Sequence, residues 1–282
     1  MDILTSYHLD ENNVKLSWFI NSGDNKNFTP SEEYFNSSTS GYSAHKILKT
    51  DVNNDGIADY IALGVDERVQ NDYNGNFTVL VGRDDNRFDV VNIPNPNKYW
   101  FHNGAAGDLN GDGNVDVATA QYVWWGDGDG NFVRDETVDL NRFTDSPLVY
   151  EIVDINNDTY NDIILRGPFE NTTIVFGLSS GIHSNNIVSH IQPNSSFKAV
   201  MDLEFVDIDS DGDLDIIELA QRGGNPPDTY DSYYFESRTI VYYNNNMNFT
   251  INEELLSDSQ DGSYQYGGED KYGWSVFKFD DF

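Results

Sequence analysis

The sequence contains no cysteine, which excludes disulfides and thiolate metal sites and leaves an oxidising compartment permitted without requiring it. Basic residues are also scarce: 16 Lys and Arg stand against 48 Asp and Glu, a formal charge of -32. A field of that sign repels nucleic acid and anionic lipid, so neither is expected as a partner, and cations are. No apolar run approaches the roughly eighteen residues of a membrane span, so no membrane insertion is expected. The opening stretch MDILTSYHLDENN has neither a basic segment nor an apolar one, so an export signal is expected to have been removed or never to have been part of the chain. Helix formers are few as well. Asn, Asp, Gly, Tyr and Phe dominate instead, the composition of many short strands joined by tight turns.

The 282 residues suffice for one large all-β domain or two ordinary ones, and internal repetition gives the organisation. One signature recurs as DVNNDGIAD (51–59), DLNGDGNVD (108–116), DINNDTYND (154–162) and DIDSDGDLD (207–215), with first positions 57, 46 and 53 residues apart. Apolar or alternating runs flank each copy, YIALG, VATAQ, IILRG and IIELA on the far side, LVYEIV and LEFV on the near side of the last two, and these read as strands. A second repeat lies between the acidic loops. VKLSWFINSGDNKNFT, FTVLVGRDDNRFDV, YVWWGDGDGNFV and TIVYYNNNMNFTI each read as strand, polar turn, strand, and TTIVFGLSSGIHSNNIV is a looser version. Each period of about fifty residues therefore holds four strands, with the acidic loop between the first and second and a hairpin between the third and fourth. Four-stranded sheets at this period are the pattern of β-propeller blades, so the expected fold is all-β, a propeller with metal loops between first and second strands.

The fourth loop also satisfies the EF-hand pattern, with Asp207, Asp209, Asp211, Gly212 and Glu218 in place. The EF-hand needs a bidentate Glu at its twelfth position and flanking helices. That position holds Ala62, Thr119 and Leu165 in the other loops, whereas the ninth is always Asp. The repeated unit is D-x-[DN]-x-D-G-x-x-D between strands, and Glu218 is expected on a strand face with no part in the metal set.

This constellation resembles the FG-GAP/VCBS repeat family, including the calcium-binding blades of integrin alpha-subunit propellers, over nearly the whole chain, although the FG and GAP tripeptides of integrins are not evident. The resemblance implies about four Ca²⁺ sites on one face. They are carried over to Asp51, Asn53, Asp55 and Asp59; Asp108, Asn110, Asp112 and Asp116; Asp154, Asn156, Asp158 and Asp162; and Asp207, Asp209, Asp211 and Asp215. The seventh residues, Ile57, Asn114, Tyr160 and Asp213, would contribute backbone carbonyls. Carboxylates, amides and carbonyls are also the hard oxygen donors that Ca²⁺ prefers. Glycine at the sixth place permits positive φ in three loops, but the third has Thr159 there, which predicts a distorted, weak or empty site.

Other patterns are expected to be structural. GLSSG (177–181) matches a nucleophile elbow around Ser179, but an elbow needs a strand-to-helix turn and this is a hairpin. GDGDG (126–130) would repel phosphate. The five histidines, 8, 45, 102, 183 and 190, have no zinc-binding spacing. No catalytic residue is assigned.

Asp2 aligns with the ninth place of a loop and Asp281 with the first. Residues 1–282 are therefore expected to form a single propeller of four complete blades with split strands at both ends. Either a strand at 274–281 closes a five-bladed ring with the N-terminal strands, or the chain is a segment of a longer array, the preferred reading. In propellers of the resembling kind, ligands bind on the face opposite the metal loops. Here the corresponding loops are long and aromatic, and Tyr99, Trp100, Tyr233, Tyr234 and Tyr266 are the candidate ligand-binding residues, suited to stacking on sugar rings; the alternative is that they pack on one another. The expected function is a calcium-binding extracellular or cell-surface module for adhesion, with a glycan or an extracellular protein as ligand. The propeller domain of a secreted polysaccharide-processing enzyme and a structural spacer without ligand are the alternatives.

Overall fold

The structure is a computed structural model and describes residues 3–10, 13–21, 27–33, 43–65, 77–85, 87–94, 103–119, 122–143, 149–166, 171–183, 186, 188–191, 199–223 and 234–252. Among the described residues every regular element is a strand except one 3-10 turn, Leu140–Arg142. Strands β1 (Ile3–Asp10), β2 (Asn13–Asn21) and β3 (Phe28–Glu33) form a three-stranded sheet. Four four-stranded sheets follow. The first is β4 (Ser43–Thr50), β5 (Asp59–Val65), β6 (Phe77–Gly82) and β7 (Phe88–Ile93). The second is β8 (Gly104–Gly107), β9 (Asp116–Thr119), β10 (Tyr122–Gly126) and β11 (Phe132–Arg134). The third is β12 (Val149–Val153), β13 (Asp162–Arg166), β14 (Thr172–Val175) and β15 (Val188–Ile191). The fourth is β16 (Ala199–Val206), β17 (Asp215–Gly223), β18 (Tyr234–Asn245) and β19 (Asn248–Asn252). Each sheet is an antiparallel meander in chain order. The acidic loops join first to second strands and the polar turns join third to fourth, as the two sequence repeats require. The strand expected at 274–281 lies outside the described residues.

The chain divides into two compact units, Met1–Asp108 with Asp112–Asp139, and Leu109–Gly111 with Leu140–Phe282. In the first, Ile61, Leu63, Val79 and Ile93 of one sheet pack against Val117, Trp124 and Phe132 of the next, and β4 runs beside β8 and β1. In the second, Ile164, Ile174 and Ile191 meet Leu203, Ile216, Ile240 and Tyr242, with β12 beside β16. The second strands are internal to their sheets and covered on both faces, which is why they read as continuous apolar runs rather than alternating ones; all five residues of β13 are buried. The second residue of the acidic loop joins these cores, Val52 in one unit and Ile155 in the other, whereas Ile208 of the last loop is 38% exposed.

A buried carboxylate fixes each loop to its sheet. Asp59, Asp116, Asp162 and Asp215, the ninth residues, open the second strands and are completely buried. One oxygen of each accepts a backbone N–H from the end of the third strand: Gly82 at 2.6 Å, Gly126 at 2.9 Å, Gly177 at 2.7 Å and Asn244 at 2.8 Å. In three loops the other oxygen accepts the N–H of the loop's second residue, Val52 at 2.7 Å, Ile155 at 3.1 Å and Ile208 at 2.8 Å. The glycines are required by a close approach. A Cβ on Gly82, Gly126 or Gly177 would lie within 3.0 Å of the backbone oxygen of the loop's eighth residue, Ala58, Val115 or Asn161. Where the fourth sheet has Asn244 instead, its amide Nδ2 donates to the eighth-residue carbonyl of Leu214 at 3.1 Å.

Replacing Gly126 by alanine drives a methyl into the Val115 carbonyl and is expected to cost about 1–3 kcal/mol, the range for overpacking a close contact. Thermal melting of Gly126→Ala beside Val133→Ala, a side chain 69% exposed, checks this. Equal melting temperatures would show that the glycine contact is dispensable.

Candidate metal centre

Each acidic loop leaves the sheet at the same rung, after the pairs Thr50 with Asp59, Gly107 with Asp116, Val153 with Asp162 and Val206 with Asp215. Eight residues must then reverse the chain, and side-chain oxygens from within the loop organise the turn. The first aspartate accepts the N–H of the sixth residue: Gly56 to Asp51 at 2.9 Å, Gly113 to Asp108 at 2.9 Å, Thr159 to Asp154 at 2.8 Å and Gly212 to Asp207 at 3.1 Å. The fifth aspartate accepts the N–H of the seventh: Ile57 to Asp55 at 2.7 Å, Asn114 to Asp112 at 2.7 Å, Tyr160 to Asp158 at 2.9 Å and Asp213 to Asp211 at 2.9 Å. These are Asx-type turns built in series.

Thr159 takes φ +77° where Gly56, Gly113 and Gly212 take +81°, +86° and +97°. The third loop thus keeps the path of the others and carries the strain of a β-branched residue in the left-handed region, about 1–2 kcal/mol, instead of the distortion its sequence predicts. The side chain of the seventh residue is free to vary: Tyr160 is 36% exposed, and Asp213 bonds outside the loop, accepting the N–H of Asn246 at 2.7 Å.

The third position separates the loops chemically. Asn53 donates to Asp55 at 2.9 Å and Asn156 to Asp158 at 3.0 Å, so an amide quiets the fifth carboxylate. Asp209 has no such hydrogen to give. Its oxygen and those of Asp207 and Asp215 converge within 4.8 Å of one another, the one such acidic group among the described residues. Desolvation and repulsion from Asp211, Asp215 and Asp207 push the Asp209 carboxyl above its ordinary range. Burial, with repulsion from Asp158 and Asp154, pushes Asp162 up to about 6 against the N–H groups of Gly177 and Ile155. Burial likewise raises Asp59, with help from Asp55 and Asp51. The donor set is oxygen throughout, without sulfur or imidazole, and fits a hard divalent cation. The ninth carboxylates can serve both roles, because each oxygen has a second lone pair beyond the one bonded to N–H.

Glu218 belongs to a different environment. It is 1% exposed on β17, and burial raises its carboxyl to about 7 against the pull of Arg166 and Tyr242; it is a core carboxyl, outside the loop. Ser179 lies in an exposed turn closed by Gly181 N–H on Leu178 O at 2.8 Å, and among the described residues no helix follows it. Asp127 accepts the N–H groups of Asp129 at 2.8 Å and Asn131 at 3.1 Å, a hairpin turn as expected. His183 meets Ser180 at 3.2 Å and His190 meets Thr173 at 3.0 Å. Tyr99, Trp100, Tyr233 and Tyr266 lie outside the described residues, as do Asp2, His102 and Asp281, while Tyr234 opens β18. The ninth-residue clasp and the glycines that serve it escaped sequence reasoning; a glycine at or just past the end of three of the third strands, in VG, WG and FG, was the available signal.

The raised carboxyls give a pH dependence to the metal-stripped protein. Asp162 near 6 and Glu218 near 7 stand above ordinary values of 3.8 and 4.5, so the folded state holds these protons more tightly than the unfolded one. Their stabilising contribution is complete below about pH 4 and is lost as pH rises through 6 and 7. Metal-stripped protein is expected to melt at a lower temperature at pH 8 than at pH 5.5 in differential scanning calorimetry. A rising trend over that interval would contradict the assignment.

Neither a scan against protein-family models nor a search of curated proteins returns a match to this chain.

Proposed function

We propose that the protein is a calcium-stabilised binding module, with its sheets as blades of a propeller of the FG-GAP/VCBS kind, working at the cell surface or outside the cell on a glycan or protein ligand. The observation that carries the calcium half is the convergence of Asp207, Asp209 and Asp215 within 4.8 Å, in a loop whose backbone path recurs three more times. Bound Ca²⁺ would supply the charge that offsets the mutual repulsion of these carboxylates. The chain's own part is to hold the oxygens in place: the first aspartate on the sixth N–H, the fifth on the seventh, the ninth on the third strand.

The ligand half is supported by position. Tyr234 pairs with Gly223 at one end of β17, and Asp215 stands at the other, about 26 Å away at roughly 3.3 Å per residue. Aromatic side chains at that end would be free to stack on sugar rings without involving the metal loops. In this reading the ions are scaffold and take no part in recognition.

Two experiments test the halves separately. Excess Ca²⁺ is expected to raise the melting temperature over that in EGTA, and Asp207→Ala to lose more of that gain than Asp154→Ala, because the fourth loop has the denser carboxylate set. A melting curve indifferent to EGTA would sink the calcium half. A glycan array is expected to show binding that Trp100→Ala with Tyr234→Ala abolishes while the calcium-dependent melting shift persists; array binding unchanged in that double variant would overturn the ligand half.

A further inference from the structure

The fourth place of the acidic loops alternates along the chain: Asn54, Gly111, Asn157, Ser210. All four residues have positive φ, +57°, +76°, +58° and +63°, a conformation that asparagine and glycine tolerate best. The two asparagines reach out of their own loop into the following one. Asn54 Nδ2 donates to the carbonyl of Gly113 at 3.2 Å. Asn157 Nδ2 donates to the carbonyl of Gly212 at 3.1 Å and to Asp213 Oδ1 at 3.0 Å. In both cases one acceptor is the carbonyl of the sixth residue of the next loop, and donor and acceptor belong to the same compact unit.

That carbonyl belongs to a peptide group whose other end is already engaged. The N–H of the Gly113–Asn114 peptide donates to Asp112 Oδ1 at 2.7 Å, and that of the Gly212–Asp213 peptide to Asp211 Oδ1 at 2.9 Å. A planar peptide transmits orientation between its two ends. The fifth carboxylate of the second loop therefore sets the direction of the carbonyl that the asparagine of the first loop uses. In turn, Asn54 stands between Asn53 and Asp55, and Asn157 between Asn156 and Asp158, the third and fifth donors of their own loops. In the second unit Asn244 adds a further tie, its Nδ2 within reach of Ile155 O at 3.3 Å and Leu214 O at 3.1 Å, one carbonyl from each loop.

We propose that the loops at 51–59 and 108–116 take up their ions as one coupled pair, and those at 154–162 and 207–215 as another, with Asn54 and Asn157 as the coupling residues. The inference rests on the calcium reading of the loops. Ordering of Asp112 about an ion fixes the Gly113 carbonyl, which holds Asn54 and with it the flanking donors Asn53 and Asp55, so the first loop enters its own binding step partly organised. Linkage makes the effect reciprocal. The second loop of each pair carries Gly111 or Ser210, with no side-chain amide to pass on.

Calcium calorimetry on the metal-stripped full chain tests the coupling. Asn54→Gly with Asn157→Gly removes both amides and keeps a residue suited to positive φ, as Gly111 already is. The double variant is expected to bind the same number of ions with a shallower isotherm and an apparent affinity lower by about fivefold, the low end of known couplings. Asn54→Gly alone should shift half of the sites. Asn54→Ser, which removes the amide and sets there the residue type that Ser210 already carries at positive φ, should shift the same half, and carries the test if the glycine variants fold poorly. An isotherm of the double variant superposable on the wild type would overturn the coupling while leaving calcium binding intact. Absence of any calcium heat or melting shift in the wild type would remove the calcium reading itself, and the coupling with it.

Discussion

The ninth aspartate of each loop, completely buried and bonded to the backbone N–H at the end of the third strand, is the interaction on which the rest of each four-stranded sheet depends. An ionised carboxylate taken from water is costly unless its oxygens are satisfied, and hydrogen bonds to a charged acceptor contribute about 1.5–3 kcal/mol each. In three loops the second oxygen takes the N–H of the loop's second residue, whose side chain in turn enters the core between sheets at Val52 and Ile155. Loop, strand end and inter-sheet core are thereby fastened at one point. The acidic loop can then be short of apolar residues and still have a defined path.

The same economy has an electrostatic side. A chain with a formal charge of -32 concentrates carboxylates in its loops, where mutual repulsion adds to desolvation in raising the carboxyls of Asp59, Asp162 and Asp209. Asparagine at the third place relieves this at Asp55 and Asp158 by direct donation, whereas the loop with Asp209 has no such relief. The loops therefore differ in how far the protein alone can satisfy them, despite a common backbone. In the core, Arg166 offsets part of the burial that raises Glu218.

Much of the architecture was legible in the sequence because its repeats are local. Nine residues and a strand on either side define each acidic loop, and the polar hairpins mark the third and fourth strands. The four-stranded meanders and the position of every loop between first and second strands follow from these. What resisted reading depends on contacts distant along the chain. Asp215 and its donor Asn244 are 29 residues apart, Asp116 and Gly126 only 10, so no fixed spacing exposes the clasp, and the ninth aspartate looks like one more ligand. Asn54 and Asn157 occupied a place the pattern treats as arbitrary, because their partners are 59 and 55 residues away. At Thr159 the sequence foretold a bent loop, yet the hydrogen bonds around it hold the backbone to the shared path despite its preference.

The variable distance between the clasp and its donor has an evolutionary consequence. The N–H that completes the buried aspartate is specified by where the third strand ends, and the chain may take 10 residues or 29 to arrive there. Insertions between the second and third strands consequently leave the fastening untouched. That connection emerges at the end of the sheet remote from the acidic loops, so it can be lengthened, shortened or exchanged sheet by sheet while the frame is inherited unchanged. A scaffold with such a junction is suited to diversification by loop grafting, in nature or at the bench, at one end of its sheets only.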